Sequence, residues 1–110
     1  MLDRNAALAT VGGDLDLLRE VGTLFLKEYP TSIAELSGAV AQRDAVSIEH
    51  NANRLKGAIA LFGTGAVFQA AYRLQQQGRS GDLRHVEADL VELERLLVQL
   101  CEEIQKLISE

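Results

Sequence analysis

Apolar residues recur along this chain at spacings of three and four, so the pattern reads as helix almost throughout, while period-two alternation is nearly absent. The longest run lies at the C-terminal end, where Leu83, Val86, Leu90, Leu93, Leu97, Leu100, Ile104 and Leu107 alternate three and four without a miss. Such a heptad seam suits either the spine of an antiparallel bundle or a coiled-coil strand paired with a second copy of the chain. Shorter stripes precede it: Leu15, Leu18, Val21, Leu24 and Phe25; Ile33, Leu36 and Val40; Ile48, Ala52, Leu55, Ile59 and Phe62; Val67, Ala70, Ala71 and Leu74. Each stripe needs a partner face, which favours the bundle.

Turn residues divide these stripes. A short first helix is expected over residues 3–10, ending at Gly12-Gly13, and Asp14 reads as the N-cap of a second helix that Tyr29-Pro30-Thr31 should break near residue 28. A further helix is expected over residues 31–42, and Asp44 can cap one that reaches Phe62. Gly63-Thr64-Gly65 should end it, with Thr64 capping a helix over residues 66–77. Gly78-Arg79-Ser80-Gly81 then reads as a turn, and Asp82 as the cap of the last helix. The expected class is all-α, in a single domain spanning residues 1–110.

Composition narrows the function. The 110 residues are 47% hydrophobic and 25% charged, the balance of an ordinary soluble protein rather than a disordered one. No apolar run reaches the ~20 residues of a membrane span, and no secretory signal is evident, so a cytoplasmic protein is expected, with no membrane partner. The lone cysteine, Cys101, sits beside the leucine seam and reads as packing. Glu92, Glu94, Glu102 and Glu103 read as a solvated face, and His85 lacks partners at metal spacing. No metal site, cofactor loop or nucleophile elbow is evident.

A net charge of −5 argues against a nucleic-acid partner. Its distribution is uneven: residues 50–81 contain no Asp or Glu but include Arg54, Lys56, Arg73 and Arg79, a local charge of +4 that leaves −9 to the rest of the chain. Such a region could receive an acidic partner or a phosphoryl group.

On the helix over residues 44–62, the apolar set Ile48, Ala52, Leu55, Ile59 and Phe62 falls within about 80° of arc at ~100° per residue. His50, Asn53 and Gly57 then point to the opposite side, with Lys56 on the flank about one turn from Asn53. Glycine inside a helix costs on the order of 1 kcal/mol relative to alanine. A use for Gly57 is the close approach of another protein's backbone.

The run Ala52-Asn53-Arg54-Leu55-Lys56-Gly57, continuing Ala58-Ile59-Ala60-Leu61-Phe62-Gly63, resembles the Ala-His-x-Leu-Lys-Gly motif and trailing glycine of histidine-phosphotransfer (HPt) domains. Gly12-Gly13-Asp14 with Leu17-Leu18 is similar to that family's opening turn and first bundle helix. Phe25, Leu36, Ala39 and Asp44 follow its spacing, and Gly81-Asp82-Leu83 resembles the start of its last helix. The chain has Leu74-Gln75 where the family commonly has Leu-Glu.

The resemblance implies a four-helix bundle that relays phosphoryl groups between aspartates of response-regulator receiver domains. With the short first helix read above, the expected fold is an antiparallel four-helix bundle with a short extra N-terminal helix, and the expected partners are a receiver domain and a sensor histidine kinase. By the same resemblance Lys56 would help neutralise phosphoryl oxygens and Gly57 would let the receiver approach; His50 and Arg54, on the same helix, are expected to join the docking face. The acceptor histidine's position is occupied by Asn53. An imidazole nitrogen offers an in-plane lone pair that attacks phosphorus, whereas the lone pair of a carboxamide nitrogen is delocalised into its carbonyl. The expectation is therefore a monomeric docking module, not an enzyme, that carries no phosphate. The substitution is compatible with a natural pseudo-phosphotransfer domain or an introduced change. Two alternatives stay open: phosphotransfer through His50, and a dimerisation protein built on the heptad helix.

Overall fold

The computed structural model describes residues 2–110. Among them are five α-helices: α1 (Arg4–Thr10), α2 (Leu15–Ala41), α3 (Ala45–Ile59), α4 (Ala66–Ser80) and α5 (Val86–Ser109), with a 3-10 turn, Ala60–Phe62, prolonging α3. Three of them start on an aspartate whose carboxylate accepts a backbone N–H of the first turn: Asp3 from Ala6 at 3.0 Å, Asp14 from Leu17 at 3.1 Å and Asp44 from Ser47 at 3.2 Å.

Helices α2 to α5 form an antiparallel four-helix bundle in which each packs on the next and α5 closes back onto α2. The contacts fix the directions. Gly22, early in α2, faces Ile104 and Ile108 late in α5; Phe25 meets Phe62, at the end of α3, in an edge-on ring contact at 5.2 Å. Gln77 near the end of α4 donates to Asp89 near the start of α5, at 2.5 Å. α1 lies across one end, where the N–H of Asp3 donates to the carbonyl of Phe62 at 3.0 Å and Ala7 is fully buried. The N–H of Leu2 donates to Glu103 at 2.7 Å, and Arg4 grips Glu110 through two hydrogen bonds, tying α1 to the end of α5.

The stripes expected from the sequence supply the core. Val86, Leu90, Leu93, Leu97, Leu100, Ile104 and Leu107 are all buried within this one chain, with Leu83 half-buried beside them. The seam is thereby covered by α2 and α4 of the same chain. Cys101 is buried in the same layer, where burial pushes its thiol up, as expected of a packing residue.

Several expected boundaries move. Pro30 does not break the chain into two helices: α2 runs through it for 27 residues, about 40 Å at 1.5 Å each, the full 41 Å length of the molecule. Proline removes one intrahelical hydrogen bond, but Pro30 is exposed and both flanking segments bury side chains, Leu18 and Phe25 before it and Leu36 and Val40 after it. Packing on both sides keeps the helix continuous through a local penalty of ~3 kcal/mol. Leu24, assigned inward, is 53% exposed, because Gly22 and Phe25 form the buried edge of α2 instead.

The turn expected at residues 78–81 is the last turn of α4, which ends only at Gly81, left-handed at φ 79°. Gly78 has a different role. A Cβ there would lie 2.5 Å from the backbone nitrogen of Glu49 and 2.8 Å from the carbonyl of Ala45, so this glycine lets α4 and α3 touch backbone to backbone. Thr64 does not cap α4, which starts after Gly65 without a side-chain cap. Nor does Asp82 cap α5. Its carboxylate bonds Arg84, which holds its pKa down to about 2, and α5 starts after His85 with Glu87 and Asp89 in its first turn.

Three tests follow from this packing. Leu93→Ala removes a fully buried side chain and is expected to cost ~2–5 kcal/mol in urea unfolding. Two of the helical glycines should respond oppositely: Gly78→Ala destabilises by about 1–3 kcal/mol through overpacking, whereas Gly57→Ala, whose Cβ meets nothing within 4 Å, stabilises by about 0.5–1 kcal/mol. The Ser47 hydroxyl and then the Ser47 N–H hold the Asp44 carboxyl below its usual 3.8, so the stability it lends is present above that pH and lost as pH falls through the lower folded value. Thermal melts should therefore show Asp44→Ala less stable than the parent at neutral pH, with the gap closing in acid.

Candidate partner-docking site

α3 is gripped on two sides, by α2 and α4, and its third side is open. Ile48, Ala52, Leu55 and Ile59 are buried, which turns the intervening positions outward. His50, Asn53, Arg54 and Gly57 are exposed and Lys56 is half-buried, so the five residues singled out from the sequence share one outer ridge. His50 and Lys56 each lie three residues from Asn53, about 4.5 Å along the axis in opposite directions. The amide of Asn53 can donate and accept hydrogen bonds there but has no free lone pair on nitrogen.

Gly57 lies in the last turn of α3, and the space a Cβ would fill holds no atom within 4 Å. No neighbour in the chain requires a glycine here, in contrast to Gly78. Beside the ridge, between α2 and α3, an apolar cleft of about 110 Å³ is lined by residues including Leu24, Phe25, Tyr29, Leu55 and Leu61. Leu24 and Leu61 form an exposed part of its rim, at 53% and 38%.

The cations of the acid-free segment have distinct fates. Arg54 pairs with Glu35 of α2 at 2.5 Å, and Arg73 stands 3.8 Å from Asp89 of α5. Residues distant in sequence thus neutralise half of the +4 charge, and the face is less basic than its local composition. Lys56 has no carboxylate within 4 Å among the described residues; its ammonium lies over the ring of Tyr72, 4.9 Å from the centroid, and 5.8 Å from that of Phe68. Both rings belong to α4 and were not singled out from the sequence. The available signal was their spacing of four, just outside the stripe Val67, Ala70, Ala71 and Leu74. Glu35 carried no such signal, because its pairing spans 19 residues. Gln75, next to Leu74, is half-buried on α4, and its side-chain oxygen is enclosed without a hydrogen-bond partner among the described residues.

Among the described residues no group of three or more His, Cys, Asp or Glu could hold a metal ion, and no helix is long and apolar enough to cross a membrane. His85 is exposed at the start of α5, away from the ridge.

Comparison with known proteins places this arrangement. The fold matches the crystal structure of histidine-containing phosphotransfer protein B (HptB) from Pseudomonas aeruginosa PAO1, with a TM-score of 0.87 at 19% identity over 96% of this chain and 91% of that one. No curated protein matches the sequence. The sequence model of the Hpt domain matches residues 20–109, which include the ridge on α3 and all four bundle helices but for the first turn of α2. This chain therefore belongs to the Hpt domain family, the phosphotransfer domains of phosphorelays.

Proposed function

We propose that this chain is a single-domain docking module of a two-component phosphorelay that binds a receiver domain through the α3 ridge but carries no phosphoryl group. The observation that carries the reading is the ridge itself: Asn53 and Gly57 stand outward one turn apart, Lys56 flanks them, and Gly57 leaves a gap that nothing in the chain fills. A glycine that weakens its helix and serves no internal contact is accounted for by the approach of another backbone. The apolar cleft between α2 and α3 adds surface beside it that a partner can bury.

In this reading Asn53 occupies the acceptor position, and its chemistry separates docking from transfer. The carboxamide can replace the hydrogen bonds of an imidazole but cannot attack phosphorus or serve as a leaving group. Arg54, paired with Glu35, shapes the rim, and His50 contributes a polar edge three residues below Asn53. A sensor histidine kinase is a second partner of the same face. The burial of the α5 seam within the chain supports a monomer, and the module is cytoplasmic, without metal, nucleic acid or catalysis of its own.

Incubation with a phosphorylated receiver should leave this chain unlabelled, and Asn53→His should acquire an acid-labile phosphoryl group. Label on the parent chain that disappears in His50→Ala would replace this reading with transfer through His50. Amide NMR titration with the receiver should move resonances centred on Asn53, Lys56 and Gly57. Shifts confined to α5 would overturn docking at α3. Gly57→Ala, though more stable, should bind more weakly because its methyl enters the space a partner needs.

A further inference from the structure

We propose that Tyr72 and Phe68 are positioning residues: together they form an aromatic shelf that holds the Lys56 ammonium in place without neutralising it, ready for an anionic carboxylate or phosphoryl-carboxylate of the docked receiver. The inference rests on the docking reading and names a part of that surface which the α3 motif does not contain.

Two cations stand on opposite flanks of α3, Arg54 toward α2 and Lys56 toward α4, and are held in different ways. Arg54 is fixed by a carboxylate, Glu35, which also cancels its charge. A partner's acid would have to compete with that pair. Lys56 is held by ring faces instead, at 4.9 Å from Tyr72 and 5.8 Å from Phe68. A ring quadrupole attracts a cation from one side, leaves its charge intact and leaves ammonium N–H donors free on the other side. An anion arriving over α3 therefore meets a full positive charge.

The shelf also reduces an entropic cost. A free lysine loses up to about 2 kcal/mol of rotamer freedom when it is immobilised, and a side chain already confined loses less on binding. The rings are themselves confined. Phe68 is half-buried against the core, Tyr72 is 39% exposed, and the two are one turn apart on α4 with centroids at 6.5 Å. Their height under Lys56 follows from how closely α4 approaches α3, which the missing side chain of Gly78 permits at the other end of the same helix pair. The competing explanation is that the lysine stem merely covers apolar ring surface. In that case the rings would add nothing to an anion's affinity beyond ordinary packing.

A double-mutant cycle on the full chain separates the two, using a receiver loaded with beryllofluoride as the aspartyl-phosphate mimic and calorimetry as the readout. Tyr72→Leu keeps bulk and removes the ring; Tyr72→Phe keeps the ring. Tyr72→Leu should weaken binding about two- to fivefold, Tyr72→Phe should bind like the parent, and in a Lys56→Gln background Tyr72→Leu should change nothing further. In the free protein the ε-methylene protons of Lys56 should be shifted upfield by the rings, and that shift should shrink in Tyr72→Leu but persist in Tyr72→Phe. Additive losses in the cycle, or a Tyr72→Phe variant as weak as Tyr72→Leu, would overturn the shelf while leaving docking intact. A receiver that binds none of the variants, nor the parent, would overturn both.

Discussion

The leucine seam of α5 must be covered along 24 residues, about 36 Å of helix, and most of the architecture follows from that demand. One long helix, α2, meets it on one side and the shorter α4 on another. This explains why α2 continues through Pro30: a break there would leave part of the seam without a wall, and lost burial of even one such side chain compares with the whole penalty of a helical proline. It also decides the state of the seam. A heptad repeat able to pair two chains is closed within one, since its positions are buried in this molecule alone.

α3, like α5, is covered on two sides, by α2 and α4, and open on the third. A helix in that position is rigid because its core face is locked, and its outer face is free to carry residues chosen for something other than stability. Gly57 and Gly78 show the division. Gly78 is required by the interior, where its absent side chain sets the spacing of α3 and α4. At Gly57 no atom of the described residues lies within 4 Å of the space a Cβ would fill, so the interior does not call for a glycine there. The ridge and the shelf beneath Lys56 are thus products of one packing arrangement, the α3–α4 contact.

Charge on α3 and α4 is sorted by tertiary neighbours. Glu35 and Asp89 come from α2 and α5 to meet Arg54 and Arg73, and exposed pairs of this kind add only about 0–1 kcal/mol to stability. Their larger effect is on the field outside the protein, because they leave Lys56 as the flanking cation of the ridge without a carboxylate partner among the described residues. Asn53 stands in the middle of this arrangement with hydrogen-bonding capacity and no nucleophilic nitrogen. Recognition and group transfer, which depend on different atoms, can therefore be lost or kept separately on the same helix.

The sequence by itself determined the all-α class, the buried stripes of α3, α4 and α5, the aspartate caps at Asp14 and Asp44, and the outward position of His50, Asn53 and Gly57 with Lys56 on their flank. All of these are local: they follow from a period of 3.6 residues and from side chains bonding the backbone three residues away. The Hpt resemblance was legible for the same reason, since its motif lies on one short helix. Tertiary structure alone decided the continuity of α2 at Pro30, the exposure of Leu24, the helical place of Gly78, the start of α5 beyond Asp82, the pairing of Arg54 with Glu35, and the placing of Lys56 over Tyr72 and Phe68. Each depends on a neighbour brought from elsewhere in the chain, whose packing or charge outweighs a local preference of about 1 to 3 kcal/mol.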